Sequence, residues 1–224
     1  MASDGRSVAV WDWTVRLFHW LLVLLIPIMW WTAEQNLMDW HRRIGLCLMG
    51  LLLFRLAWGV IGSRTARFWP MLKSLPLLPR YIAGLFDGRH GNSFGHNPMG
   101  VLSVIALLGV LTVQITTGLF SVDVDGLESG PLAILVSFDT GRWFADIHEL
   151  SFNIVLGLVA LHIAAILFHR FILKDRLIRP MISGKRPAAE LSGQPLQTIQ
   201  AKAFPVILAG LFAVAAVYLA WATG

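Results

Sequence analysis

The chain predicts an all-α integral membrane protein, and three observations carry that prediction. Of its 224 residues, 56% are hydrophobic and only 14% are charged, where an ordinary soluble domain carries about 25% charged residues. Five apolar runs recur along it, each long enough to cross about 30 Å of hydrocarbon at about 1.5 Å per residue. The connections between the runs alternate in charge. Such a composition excludes disorder and argues against a soluble enzyme. The one cysteine, Cys47, excludes an internal disulfide framework, a thiolate metal cluster and covalent haem attachment through CxxCH. The net charge of +5 could fit nucleic acid, but in so apolar a chain it points to charges sorted by membrane side.

The first run, about Trp13 to Ala33, starts too hydrophobic and lacks the small-residue cleavage site of a removable signal peptide. The second runs from about Trp40 to Ile61. Between the second and third, Phe68 to Phe86 mixes Trp69, Leu72 and Tyr81 with Lys73 and Arg80, while Pro70, Pro76 and Pro79 forbid one continuous helix. It reads as a segment lying on the membrane surface or as an ordinary loop. The third run, Pro98 to Phe120, has no charged residue. The fourth spans about Ile147 to Ile172, and the fifth, Ala203 to Thr223, is again free of charge.

The loops set the orientation. Arg64, Arg67, Lys73, Arg80 and Arg89 follow the second run against Asp87, and Arg170, Lys174, Arg176, Arg179, Lys185, Arg186 and Lys202 follow the fourth against Asp175 and Glu190. Glu34 and Asp39 lie between runs one and two. Asp123, Asp125, Glu128, Asp139 and Asp146 lie between three and four, with only Arg142 beside them. The basic loops are expected in the cytoplasm, which puts the N-terminus inside, the C-terminus outside and the acidic stretch Ser121 to Ala145 in the periplasm.

Ionisable residues within a membrane are costly and usually functional, so the depth of each histidine matters. His41 and His148 each lie two residues past an acidic boundary residue, Asp39 and Asp146, about 3 Å inside. His19 lies 15 residues before Glu34 and His162 lies 16 residues past Asp146, about 22 and 24 Å deep. Two pairs therefore share a level, His41 with His148 and His19 with His162. His148 and His162, 14 residues apart, fall within roughly 40° on one helix face. Two imidazoles at one level on facing helices are what a bis-histidine haem needs, with no open position on the iron. Two separated pairs argue against a zinc or iron site built from three or four converging ligands. His169 lies too deep to meet His19 and is expected at the interface; His90 and His96 are expected to be solvated. Arg16, Arg42, Arg43 and Arg55, near span ends, could pair with haem propionates, although snorkelling explains Arg42 and Arg43 equally well. Gly45, Gly50, Gly118 and Gly157 could admit a flat macrocycle or simply pack helices closely.

VWDWTVRLFHW (Val10 to Trp20), WHRRIGLCLMGLLLFRLAWGVIG (Trp40 to Gly62), GHNPMG (Gly95 to Gly100) and HELSFNIVLGLVALHIAAILFH (His148 to His169) occur in that order. Together they resemble the bacterial cytochrome b561 family, including the cytochrome b subunits of nickel-iron hydrogenases. The resemblance implies a four-helix transmembrane bundle over residues 8–185 binding two haem b groups, with His19, His41, His148 and His162 as ligands. Residues 186–202 are then a cytoplasmic linker, and 203–223 an additional transmembrane helix whose plain role is packing.

The expected function is a di-haem membrane cytochrome b of the bacterial inner membrane. It would carry electrons between a periplasmic redox partner, such as a c-type cytochrome, hydrogenase or dehydrogenase, and the quinone pool. The acidic stretch would be its docking surface. A stand-alone enzyme of the same fold, oxidising superoxide and reducing quinone, and a non-redox scaffold are the rival readings. Besides the redox protein and quinone, the expected partners are the bilayer, with a homodimer as an open option, and no nucleic acid.

Overall fold

The computed structural model describes residues 7–86, 95–191 and 201–223. The readings made for Asp87, Arg89 and His90, and for most of the linker 186–202, fall outside them. The described elements run β1 (Ser7–Ala9), α1 (Trp13–Glu34), α2 (Met38–Ile61), α3 (Phe68–Leu72), a 3-10 turn, α4 (Leu78–Phe86), α5 (Pro98–Phe120), a second 3-10 turn (Ala133–Leu135), α6 (Phe138–Phe171), α7 (Ile178–Ser183), β2 (Lys185–Pro187), a third 3-10 turn and α8 (Ala203–Thr223). Helices α1, α2, α5 and α6 are long and apolar enough to cross a membrane. Helix α8 fills the fifth apolar run.

Local chemistry places the helix ends. Asp12 caps α1, its carboxylate accepting from the Val15 N–H at 2.8 Å. The α1 C-terminus closes with Asn36 in the left-handed region (φ 52°), and the Leu37 N–H reaches back to the Thr32 carbonyl at 2.9 Å. That tight reversal lets α2 begin at Met38. Asn97 caps α5 through the Gly100 N–H at 2.7 Å, with Pro98 at the first helical position where its missing N–H costs nothing. Helix α6 starts well before the expected fourth span. Ser137 caps it at the Thr140 N–H, so residues 138–145 of the acidic stretch are helical rather than loop. Segment 68–86 is broken as its prolines require, into α3, a 3-10 turn and α4.

The chain divides into two compact units. One holds the described residues of 18–56, 106–159 and 207–224. Its core packs Leu46 and Met49 of α2 with Leu53, Ile115 and Leu119, and with Val217 of α8. Gly50 allows that α8 approach, because a Cβ there would stand 3.0 Å from Val217. Trp30 of α1 meets Phe152 of α6.

The other unit holds the described residues of 1–17, 57–105 and 160–206. Strands β1 and β2 pair antiparallel, Val8 opposite Arg186. Asp12, 4% exposed, accepts from Thr14 Oγ1 (2.6 Å), Trp58 Nε1 (3.1 Å) and Ser63 Oγ as well as from Val15, fastening the start of α1 to the end of α2. Asn97 donates to the Tyr81 hydroxyl at 2.8 Å. Burial, and the nearby charge of Asp175, push the Tyr81 phenol up to about 12, so it stays neutral.

Outside these contacts the long helices present large apolar side chains outward: Leu161 is 65% exposed, Phe171 70% and Trp221 66%. Apolar surface on this scale is stable only against lipid or another protein.

Candidate functional site

In the unit of residues 18–56, 106–159 and 207–224, two of the predicted histidines meet. The rings of His41 on α2 and His148 on α6 stand with centroids 6.3 Å apart and planes at 81°. Two imidazoles sharing one metal, with bonds of about 2 Å, would show a centroid separation of about 6 Å.

The second observation is which nitrogen each ring offers. Nδ1 of His41 lies 3.1 Å from the Met29 carbonyl of α1 and 3.2 Å from Thr32 Oγ1, and that hydroxyl itself donates to Met29. Nδ1 of His148 lies 2.8 Å from the Gln114 carbonyl of α5. A carbonyl can only accept, so Nδ1 carries a proton in both rings, and in the neutral imidazole Nε2 is then the nitrogen with the lone pair. This is the tautomer an iron ligand needs, held by the backbone partner that metal-bound histidines usually have. The Gln114 side-chain amide stands 3.1 Å from His148 Nε2 and is held by Ser151 Oγ. It occupies the Nε2 side of the ring, where a metal held by His148 would take its place.

Gly118 completes the seat. A Cβ there would fall 2.7 Å from His148 Cε1. Of the four glycines singled out in the sequence, Gly118 makes room for the His148 ring, Gly50 packs α8, Gly45 makes an ordinary contact with Met29, and at Gly157 a Cβ meets nothing within 4 Å. Among the described residues no three His, Cys, Asp or Glu side chains converge on a metal position. The donor set is a pair of neutral imidazoles, which suits a metal whose other four positions a macrocycle already fills. The residues present fit a haem at this level.

His19, on α1, is half-buried, its ring edge-on to Trp20 at 5.1 Å. His162, on α6, is half-buried in the other unit, where its Nδ1 lies 3.2 Å from Ser103 Oγ of α5. His169 is only 5% exposed and its Nδ1 lies 3.8 Å from Asp175, so its ring is packed against a carboxylate. His96, expected to be solvated, is half-buried and packs on Trp11 with ring centroids 4.4 Å apart.

The arginines are engaged. Arg16 donates to the Ile182 carbonyl at 2.5 Å. Arg42 bridges Glu128 and Asp39, the latter at 2.6 Å, which ties α2 to the loop after α5. Arg55 is 3% exposed and held within the protein. Arg43 lies over Trp40.

Sequence reasoning missed the supports: the carbonyls of Met29 and Gln114, and the hydroxyls of Thr32 and Ser151. The carbonyls carry no side-chain signal at all. Gln114, a lone amide in an uncharged span, was the one visible hint.

A model of the family described as prokaryotic cytochrome b561 matches residues 10–184. No curated protein matches the chain.

Proposed function

From the chain's membership of the prokaryotic cytochrome b561 family, whose members are membrane proteins that transfer electrons through haem b, we propose that it holds two haem b groups and passes electrons between a periplasmic redox protein and membrane quinone. His41 and His148 are the ligands of the outer haem, and His19 and His162 those of the inner one. The observation that carries the reading is the His41–His148 pair, two neutral rings with Nδ1 bonded to backbone carbonyls of separate helices and Nε2 left as the base. For the inner pair the support is the shared depth of the two residues along their helices.

Bound haem supplies the one-electron iron couple. The chain supplies the rest. The carbonyls of Met29 and Gln114 hold the rings in one tautomer and orientation, so little rearrangement accompanies a change of iron charge. Apolar side chains keep the surroundings at low dielectric. Arg16, Arg42 and Arg55 are the cations proposed to face the propionates; for Arg42 this means exchanging the Glu128 carboxylate for another. The basic loops put the N-terminus in the cytoplasm and the C-terminus in the periplasm of a bacterial inner membrane. The acidic residues of 121–145 then face a periplasmic partner such as a c-type cytochrome, a hydrogenase or a dehydrogenase.

Haem content of the purified protein, read as the pyridine haemochrome, tests this. The expected value is about two per chain, with His41→Ala and His148→Ala each removing the same one and His19→Ala and His162→Ala the other. A wild-type value near zero, or four variants that keep the full content, sinks the proposal. Reduction by a basic c-type cytochrome should slow as salt is raised; a salt-independent rate removes the docking role of the acidic stretch.

A further inference from the structure

His41 and His148 are seated in the same way on two different helices, within the unit of residues 18–56, 106–159 and 207–224. The carbonyl that accepts from His41 Nδ1 belongs to Met29, and three residues further along α1 stands Thr32. The carbonyl that accepts from His148 Nδ1 belongs to Gln114, and three residues further along α5 stands Thr117. Both threonines are buried, at 2% and 5% exposure. Each hydroxyl turns back on its own helix and donates to that same carbonyl, a bond that threonine makes readily toward an i−3 oxygen. Each also lies beside the imidazole, with Oγ1 to Nδ1 at 3.2 Å for Thr32 and 3.4 Å for Thr117.

The two sets of distances run in opposite directions. Thr32 gives its one proton to Met29 at 2.8 Å, and the His41 Nδ1–H reaches that carbonyl at 3.1 Å. Thr117 donates at 2.8 Å to Val113 and at 3.1 Å to Gln114, and there the His148 Nδ1–H closes to 2.8 Å. A carbonyl oxygen that already accepts one strong hydrogen bond is a weaker acceptor for a second, because the first polarises its electron density away.

We infer that Thr32, and to a lesser extent Thr117, are positioning residues that weaken the bonds from the ligand histidines to their carbonyls and so raise the midpoint potential of the outer haem. The inference rests on the proposed reading of His41 and His148 as its ligands. A strong Nδ1–H bond makes an imidazole more basic and more anionic, which favours ferric iron, the state with one more positive charge. A weaker bond favours ferrous iron. The hydroxyl achieves this while leaving the carbonyl in place, so the tautomer and the ring orientation are kept.

The full chain, purified with its haem in a neutral detergent, is titrated by spectroelectrochemistry, the outer haem being the component that His41→Ala removes. T32V keeps the side-chain shape and deletes the hydroxyl. Its outer midpoint should fall by the equivalent of about a threefold change in the ferric-to-ferrous ratio, roughly 30 mV for one electron. T117V should lower it less. T32S retains the hydroxyl and should keep the wild-type value. T112V deletes a hydroxyl of the same span that donates to the Leu108 carbonyl at 2.7 Å, and should also keep it. Haem content, read as the pyridine haemochrome, should stay full in all four. A T32V midpoint that is unmoved or higher overturns the inference. An equal fall in T32S or T112V also overturns it, since neither removes the hydroxyl from the Met29 carbonyl. Should T32V fail to take up haem, T117V decides: a fall supports the inference and an unmoved value overturns it. Retention of both haems by His41→Ala sinks the ligand assignment itself, which separates that failure from this one.

Discussion

At Gly118 a hydrogen in place of a methyl group decides where the His148 ring lies. Gly118→Ala puts a carbon 2.7 Å from Cε1, so the imidazole must leave the Gln114 carbonyl or α5 must shift. The expected outcome is loss of one low-spin haem signal in the electron paramagnetic resonance spectrum while the other persists; an unchanged spectrum refutes the role given to this glycine. Asp175 makes a second prediction at this scale. Burial alone would raise its pKa, but the His169 imidazole 3.8 Å away and the Arg186 guanidinium at 3.2 Å outweigh burial and hold it below the ordinary carboxylate value. The folded state therefore binds this proton less readily than the unfolded chain. The stabilisation is present at neutral pH and lost as pH falls through the depressed value. The melting temperature of the wild type should exceed that of Asp175→Asn above about pH 4, and the gap should close below it.

Among the elements, the junction of α1 and α2 hangs on Asp12. Replacing it by alanine leaves the donors of Thr14, Val15, Trp58 and Ser63 without their shared acceptor in a buried place. A loss of roughly 2–4 kcal/mol is expected, read from thermal unfolding in detergent. The same sequence pattern that hides this hub displays the spans. Helix α5 begins and ends where its uncharged run does, and α8 likewise, because hydropathy measures what a bilayer demands. Helix α6 begins nine residues ahead of the apolar stretch, since Asp139, Gly141 and Arg142 carry no hydropathy signal and the Ser137 cap is a single hydroxyl. The pairing of β1 with β2 was invisible, as three-residue strands far apart in sequence have no periodicity to read. The meeting of His41 and His148 was legible, because depth along a helix follows from counting residues at about 1.5 Å each. Their supports were not, because a backbone carbonyl leaves no trace in residue type.

For the whole molecule the testable property is the sidedness of its charge. In a Cys47→Ser background, cysteine placed at Leu127 (84% exposed) should react with an impermeant maleimide in intact spheroplasts. Cysteine placed at Lys185 should react only after lysis. Labelling of the Lys185 site from outside, with the Leu127 site protected until lysis, reverses the proposed orientation. The early start of α6 has a further consequence for any molecule that comes to this surface. Asp139 and Asp146 are seven residues apart on one rigid rod, two turns and about 10 Å, facing nearly the same way. An incoming protein finds those charges already in register, so no floppy loop has to be frozen at the moment of encounter. Were the proposed redox partner to dock there, its complexes would be brief and oriented at once, the combination that rapid, repeated handover of single electrons requires.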